Sequence, residues 1–455
     1  MNAEALLQQI SDYCRRTGMA ESTFGRRAVN DGKFTSRLRY GGRVTLETVQ
    51  RVHKFIEGNG VALAPMPAVA PQVPERDPVK NFRFYDNRQK YLMFVNTCSE
   101  KWVVASRVAL ELGNIHPRPP AVRLFDAGVG DGTVLARAMR SMHQRFRWMP
   151  FYVVGKEISL EDVRLALEKM PDRFQEHPPT VLIMTNMYYA EAPWLLPSAV
   201  AAATSLVWEE VALRGSTSAE FEEQITALQP FLTQHWHASV SPKTGNPVYA
   251  KPVVLILYRE DQRFLLDSVI PRRGAARADF DLVIASQPYR ARASTLFKAR
   301  RVIAPLTRAL APGGRLIGIH SCGGDPGLEI IQHIWPDENP FQVDRHTLLR
   351  TTKTELGSAA RRYNFNAYAD ERSVFRYDMH TLPDEIHDGG AVIGTSTLFA
   401  AWNAATYVAQ IEDDRLAETM ADSRYLEATR AVLRRHGGLW FRDESYIISR
   451  KRDQL

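Results

Sequence analysis

Two short stretches hold residues whose types and spacing suit chemistry. The first runs from Leu124 to Thr133, where Asp126 is followed by Gly128, Gly130 and Gly132 on alternate positions. Glycines let a backbone approach a ligand closely, and the carboxylate ahead of them can receive a cationic group. The loop lacks the Lys-Ser/Thr pair of a triphosphate cradle, and its G-x-G-x-G spacing differs from the G-x-G-x-x-G of a dinucleotide turn. The second stretch is Ser286-Gln287-Pro288-Tyr289, at the end of the apolar run FDLVIAS. Its hydroxyl, carbonyls and aromatic ring suit the orientation of a small polar group. His320 and Ser321 end another apolar run and are expected near a pocket mouth, a His at a strand end being more often structural. His235 and His237 stand two apart without a nearby carboxylate cluster, which argues against a metal site.

These stretches must be positioned by an alternation of strands and helices. VRLFDAG, FYVVGKEIS, TVLIMTN, FDLVIAS and GGRLIGIHS read as strands, and GTVLARAMRSMHQRF, LEDVRLALEKMPDRF and TLFKARRVIAPLTRALA as helices between them. Alternation of this kind implies a mainly parallel sheet with helices on both faces, over residues 81–455. Insertions interrupt it at about 188–279 and at about 336–438. The second, with AAWNAATYVAQI, is expected to form a lid over an enclosed pocket.

The glycine loop with its leading Asp126, Glu157 closing the second strand, the strand FDLVIAS and the turn in LAPGGRLIGIHS occur in that order. In this the chain, over about Leu92 to Ser321, resembles class I (Rossmann-like) S-adenosylmethionine-dependent methyltransferases. The resemblance implies a doubly wound, mainly parallel seven-stranded α/β sheet with S-adenosyl-L-methionine as cofactor. Asp126 would then receive its ammonium group, with Gly128, Gly130 and Gly132 forming the close backbone. Glu157 would bind both ribose hydroxyls, and Asn186 and Met187 would meet the adenine. Ser286-Gln287-Pro288-Tyr289 is similar to the [D/N/S]-P-P-[Y/F/W] of amino-group methyltransferases, with Gln287 in place of the first proline. That likeness implies transfer to a nitrogen, with Ser286 and a carbonyl accepting from the NH2 and Tyr289 stacking on the group that bears it. Tyr85, Arg88, Lys90 and Tyr91 precede the first strand, where residues of this fold often cover the cofactor; a packing helix with solvated charges is the alternative.

Residues 1–58 form a separate helical rhythm, broken at Gly18, at Asn30-Asp31-Gly32 and at Gly41-Gly42, that resembles helix-turn-helix DNA-binding domains. In that reading Lys33, Thr35, Ser36, Arg37 and Arg39 face a groove, and Arg26, Arg27 and Arg43 lie near phosphates. Dimerisation is the alternative role. Five prolines between 59 and 80 read as an extended tether. The net charge of +7 permits a polyanionic partner without requiring one. Cys14, Cys98 and Cys322 lie far apart, so neither a disulfide framework nor a zinc site is indicated. No apolar run reaches the length of a membrane span and the first residues lack the apolar segment of a signal peptide, so a cytoplasmic location is expected. Three functions remain in view: a methyltransferase with an unidentified acceptor, a DNA adenine or cytosine amino-methyltransferase, and a DNA-binding regulator that uses the fold as a ligand sensor. The insertion at 188–279 stands where one class of adenine-N6 enzymes carries its target-recognition domain. The turn in APGGRLIGIHS is more typical of enzymes acting on small molecules, RNA or proteins.

Overall fold

Each apolar run bounded by turn residues becomes a strand, and each amphipathic stretch between them a helix. The computed structural model describes residues 3–17, 19–39, 44–58, 88–241, 247–380 and 393–452. They belong to two compact units, Met1–Asp77 and Pro78–Leu455.

In the first unit, helices α1 (Ala3–Thr17), α2 (Glu21–Val29), α3 (Phe34–Arg39) and α4 (Leu46–Gly58) enclose Leu6, Ile10, Phe24, Phe34, Leu38 and Val52. Asn30 ends α2 in the left-handed region (φ 59°), and the Asp31 N–H donates to the Gly25 carbonyl at 3.0 Å. The turn folds back so closely that a Cβ on Gly25 would stand 2.3 Å from the Asp31 carbonyl oxygen, which is why a glycine sits there. Helix α3 has six residues and buries Phe34, Thr35 and Leu38. Thr35 therefore does not face outward as the sequence suggested: it is 3% exposed. Lys33, Ser36, Arg37 and Arg39 are exposed. Arg37 is ion-paired with Asp31, and Arg39 with Glu21 at 2.9 Å. Gly18, Gly41, Gly42, Arg43 and the tether at 59–80 lie outside the described residues.

The second unit is built on a ten-stranded sheet. Its strands are β1 (Val122–Asp126), β2 (Phe151–Lys156), β3 (Thr180–Thr185), β4 (Val207–Leu213), β7 (Val253–Arg259), β8 (Phe280–Ser286), β9 (Leu310–Ser321), β10 (Tyr363–Asn366), β11 (Val374–Asp378) and β12 (Trp440–Arg450). A separate hairpin pairs β5 (Ala238–Val240) with β6 (Pro247–Tyr249). The order is β10-β12-β9-β8-β1-β2-β3-β7-β4, with β11 also on β12. Strands β3, β2, β1, β8 and β9 are parallel neighbours, and β12 runs antiparallel to β9. On its other edge β12 carries β10 and then β11 end to end, both antiparallel. They act as one strand interrupted by residues 367–373.

Around the glycine loop stand α5 (Arg88–Thr97), α6 (Glu100–Leu112), α7 (Thr133–Arg145) and α8 (Leu160–Glu168). Further along come α9 (Pro326–Ile334), α10 (Arg345–Leu356), α11 (Thr395–Val408) and α12 (Arg424–His436). Successive strand residues point to opposite faces. Phe125, Tyr152, Val154 and Ile183 pack on one face with Ala299, Val302 and Leu348 from residues 295–308 and α10. Leu124, Val153 and Leu182 pack on the other with Val104, Leu135 and Val163 from α6, α7 and α8. The sheet is thus a mainly parallel α/β sheet wound on both faces.

Two expectations need correction. The sheet is larger than seven strands, because the insertion at 188–279 supplies β7 and β4, which hydrogen-bond successively onto the open edge of β3. The stretch at 336–438 is not a separate lid either. It contributes β10 and β11 to the sheet, and α11 and α12 form a buried core with α5 and α9 around Phe94, Ile330, Trp402 and Leu433. Among the described residues no helix is long and apolar enough to cross a membrane.

Candidate active site

Strand β1 delivers Asp126 between β2 and β8, where the Ala127 N–H donates to the Ile284 carbonyl at 2.9 Å and holds the strand end in the sheet. Asp126 is 2% exposed. Its Oδ1 accepts from the Gly128 N–H at 3.2 Å, while Oδ2 is buried with no partner among the described residues. Burial pushes its pKa up to about 7, against the Gly128 N–H and the Lys101 charge.

The three glycines are required for different reasons. A Cβ on Gly128 would meet nothing within 4 Å and would project into open space. Gly130 (φ 55°) would set a Cβ 2.7 Å from the Tyr91 hydroxyl, and Gly132 (φ 82°) one 2.6 Å from Ala166 Cα on α8. The first leaves room beside Asp126; the other two allow the turn into α7 to pack. Tyr91 fixes that turn by accepting from the Asp131 N–H at 3.0 Å. Its ring lies 5.9 Å from that of Tyr407 on α11, so the second insertion borders the loop.

Glu157, one residue beyond β2, gathers backbone donors. Oε2 accepts from the Gly130 N–H at 2.9 Å, and Oε1 from Ile158 and Ser159 at 2.7 and 2.9 Å. A carboxylate has about four lone-pair sites, so one remains on Oε2 for a ligand hydroxyl. Three backbone N–H groups thus share the carboxylate that was expected to bind both ribose hydroxyls.

Asn186 and Met187, expected to meet the adenine, have their side chains engaged within the protein. The Asn186 amide is consumed by the sheet: Nδ2 donates to the Lys251 carbonyl at 2.9 Å, and Oδ1 accepts from the Val253 N–H at 2.8 Å. It clamps the start of β7 to the end of β3. Met187 is fully buried in the core.

On the other side of Asp126, β8 ends at Ser286. Gln287 adopts φ 47°, a left-handed conformation that side chains rarely take, directly before Pro288. It is held there by its N–H to the Ile319 carbonyl at 2.9 Å and by its amide, which donates to Ser321 Oγ at 2.9 Å. Neither the Ser286 hydroxyl nor the Gln287 backbone carbonyl has a hydrogen-bond partner among the described residues, whereas the Gln287 side-chain oxygen accepts from the Ser321 N–H at 3.4 Å. Backbone strain and two unused acceptors coincide at one strand end.

Tyr289, expected to stack on the acceptor, is buried, with its hydroxyl engaged within the protein. It is 6% exposed, and the Lys298 ammonium lies 4.9 Å from its ring centre. Its hydroxyl lies 2.6 Å from His320 Nδ1 and 3.3 Å from the Tyr446 hydroxyl. His320 Nε2 meets Glu444 Oε1 at 2.7 Å, and Arg345 donates to Glu444 Oε2 at 2.7 Å. Burial raises the pKa of Glu444, but His320 and Arg345 more than reverse this and hold it below the usual carboxylate range. The ring is thus built into a buried Tyr-His-Glu-Arg chain beneath the site.

Several neighbours were not legible as site residues. Lys101 Nζ, on the first turn of α6, lies 3.1 Å from Glu100 Oε2, and its charge reaches Asp126, Asp131 and Asp443. Lys156, the last residue of β2, is 9% exposed and faces the Tyr189 ring at 4.8 Å; burial lowers its pKa. Tyr189 in turn donates to the Pro288 carbonyl at 2.7 Å. Asp443 on β12 is fully buried, accepts from Ser321 Oγ at 2.9 Å, and is pushed far above its ordinary pKa by burial and by Glu100. Of the residues expected before β1, Tyr91 meets the loop, Lys90 pairs with Asp413 at 2.5 Å, and Tyr85 and the Arg88 side chain lie outside the described residues.

No protein-family profile and no curated protein matches the chain. Among solved structures it is similar to a protein described as a sarcosine dimethylglycine methyltransferase from Galdieria sulphuraria, 11% identical over 78% of this chain and 86% of that one, TM-score 0.31. It is also similar to geranyl diphosphate methyltransferase (13%, covering 76% and 85%, TM-score 0.27). A third is PKMT2 from Rickettsia typhi (8%, covering 76% and 52%, TM-score 0.27). None of these likenesses is high enough to assign a substrate.

Proposed function

We propose that the Pro78–Leu455 unit is an S-adenosylmethionine-dependent methyltransferase acting on a nitrogen. The observation that carries this is the buried, unpartnered Oδ2 of Asp126 beside the open space at Gly128. A buried carboxylate oxygen without a donor is costly, and an ammonium group supplies the missing one. The residues present fit the cofactor in that respect. Asp126 suits its ammonium, Lys101 its carboxylate, and the free site on Glu157 one ribose hydroxyl. The sheet plan supports the same reading: a last strand, β12, inserted antiparallel between β9 and β10 departs from the all-parallel dinucleotide sheet.

When bound, the cofactor supplies an electrophilic methyl group on a positively charged sulfur. The chain's part is orientation. The Ser286 hydroxyl and the Gln287 carbonyl accept from the acceptor's N–H groups, which aims the nitrogen lone pair at the open space by Asp126. This requires no strong base. The surrounding carboxylates of Asp126 and Glu157 favour a cationic ligand.

For residues 1–58 we propose DNA as partner, through Lys33, Arg37 and Arg39. Exposed ion pairs such as Arg37–Asp31 contribute only about 0–1 kcal/mol, so phosphates can displace them. The α2-turn-α3 unit also favours a second reading, a regulator that binds the cofactor without transferring its methyl group.

The test incubates the full chain with methyl-labelled S-adenosylmethionine and cell extract separated into DNA, RNA, protein and small-molecule fractions. Nitrogen-bound label in one fraction, lost in Asp126→Asn, is expected. Cofactor binding with no label in any fraction selects the regulator, and no cofactor binding refutes both.

A further inference from the structure

A second concave surface lies on the edge strand β10, outside the site described above. It is a groove of about 750 Å³, walled by the last turn of α10, the turn that follows, β10 and Lys451. That volume falls in the range of ligand-binding clefts. Lys353, Arg361 and Lys451 line it, all exposed, and none has an ion-pair or side-chain hydrogen-bond partner among the described residues. Arg350 precedes Lys353 by one helical turn, Arg362 accepts the Lys451 N–H at 2.8 Å, and Arg452 follows. The carboxylate these segments offer, Glu355, is already paired with Arg300 at 2.7 Å.

Like charges repel, so cations gathered without carboxylates are a standing cost that an anionic partner relieves. The groove also holds groups that suit bases rather than bare phosphate. Phe365 is a half-buried ring, and the Asn364 and Asn366 amides each offer donors and an acceptor. β10 is only four residues long and residues 367–373 break it, which leaves little edge for an added peptide strand. An aromatic ring beside three cations suits a single strand, whose bases are free to stack, better than a duplex.

We propose that the β10 groove binds single-stranded nucleic acid, with phosphates on Lys353, Arg361 and Lys451 and a base on Phe365. The site is independent of the methyl-transfer reading. It adds a second nucleic-acid contact distinct from that proposed for residues 1–58.

The test titrates the full-length protein into fluorescein-labelled dT12 and U12, read by anisotropy at several salt concentrations. Three phosphate contacts predict a slope of about −2 in log affinity against log salt. Lys353→Glu/Arg361→Glu/Lys451→Glu is expected to lose at least about tenfold in affinity and most of that slope, with unchanged thermal unfolding. Phe365→Leu keeps the core filled and removes the aromatic face; a stacking contribution predicts a loss of about fivefold or more. An Arg214→Glu/Arg272→Glu variant, at exposed positions outside both proposed surfaces, is expected to bind both oligonucleotides as the natural chain does. The proposal is overturned if the triple variant binds like the natural chain, if the Arg214/Arg272 variant loses as much affinity as the triple variant, or if a twelve-residue poly-glutamate displaces dT12 more effectively than unlabelled dT12 does.

Discussion

Lowering the pH from 7.5 to 5.5 is expected to weaken S-adenosylmethionine binding about fifteen-fold. Asp126 must be ionised to receive an ammonium group, and burial holds its pKa at about 7. At pH 7.5 about three quarters of Asp126 is ionised, and with an α-amino pKa near 7.8 about two thirds of the cofactor's amino groups are charged. At pH 5.5 nearly all the amino groups are charged but only about 3% of Asp126 is ionised. The product of the two fractions falls from about 0.5 to about 0.03. Calorimetry at each pH reads the change directly, and buffers of differing ionisation enthalpy read the proton that Asp126 releases on binding near pH 6.5. Without ligand the linkage has the opposite sign. The folded pKa lies above the unfolded value of 3.8, so stability falls as pH rises between about 4 and about 7, by at most about 4 kcal/mol. Asp126→Asn should therefore unfold at a higher temperature than the natural chain at pH 8, while binding the cofactor weakly and without pH dependence. An affinity that changes less than twofold between pH 5.5 and 7.5, or an Asn variant of undiminished affinity, would falsify the assignment of Asp126.

Three further outcomes follow from the geometry. Gly128→Val should leave thermal unfolding within about 0.5 kcal/mol of the natural chain and abolish cofactor binding, because its side chain enters open space; Gly132→Val, against Ala166 at positive φ, should destabilise by about 1–3 kcal/mol or more. Asn186→Leu removes the two side-chain bonds that join the end of β3 to the start of β7 and should cost about 2–3 kcal/mol in denaturant unfolding, with cofactor affinity unchanged; a lost affinity would support the adenine role. Ser286→Ala should lower kcat about tenfold, the worth of one hydrogen bond, without changing cofactor affinity, and unchanged turnover would remove the hydroxyl from the acceptor site.

The strands that hold the loop were legible because each is an apolar run ended by turn residues, and Asp126, the glycines and Glu157 sit at those ends. What was not legible depended on partners distant in the chain. VVLILYR, later β7, is an apolar run whose place beside β3 is set by an antiparallel ladder, closed at its end by contacts of Asn186 with Lys251 and Val253, about 65 residues on. The hydroxyl network of Tyr289 was not legible, because the two groups that claim it, His320 and Tyr446, lie 31 and 157 residues away. Lys101 carried a faint signal, a Glu-Lys pair opening the helix before β1, but only the fold shows that this end of α6 faces Asp126. The groove on β10 was hidden for the same reason: its three cations come from a helix, a turn and the residue after the last strand.

Strand β12 has a consequence for the order in which this molecule can be made. Residues 440–450 lie between β9 and both β10 and β11, so the latter two have no sheet partner until β12 arrives. At a synthesis rate of about 5–20 residues per second, the interval from β9 to β12, some 120 residues, leaves the β9 edge bare for roughly 6–24 s on the ribosome. During that time an edge of Leu316, Ile317 and Ile319 is open to other strands. The same late strand carries Asp443 and Glu444. The Tyr289-His320-Glu444-Arg345 network and the last seam of the sheet are therefore completed in one event, and a nascent chain lacking β12 has its glycine loop but not that network.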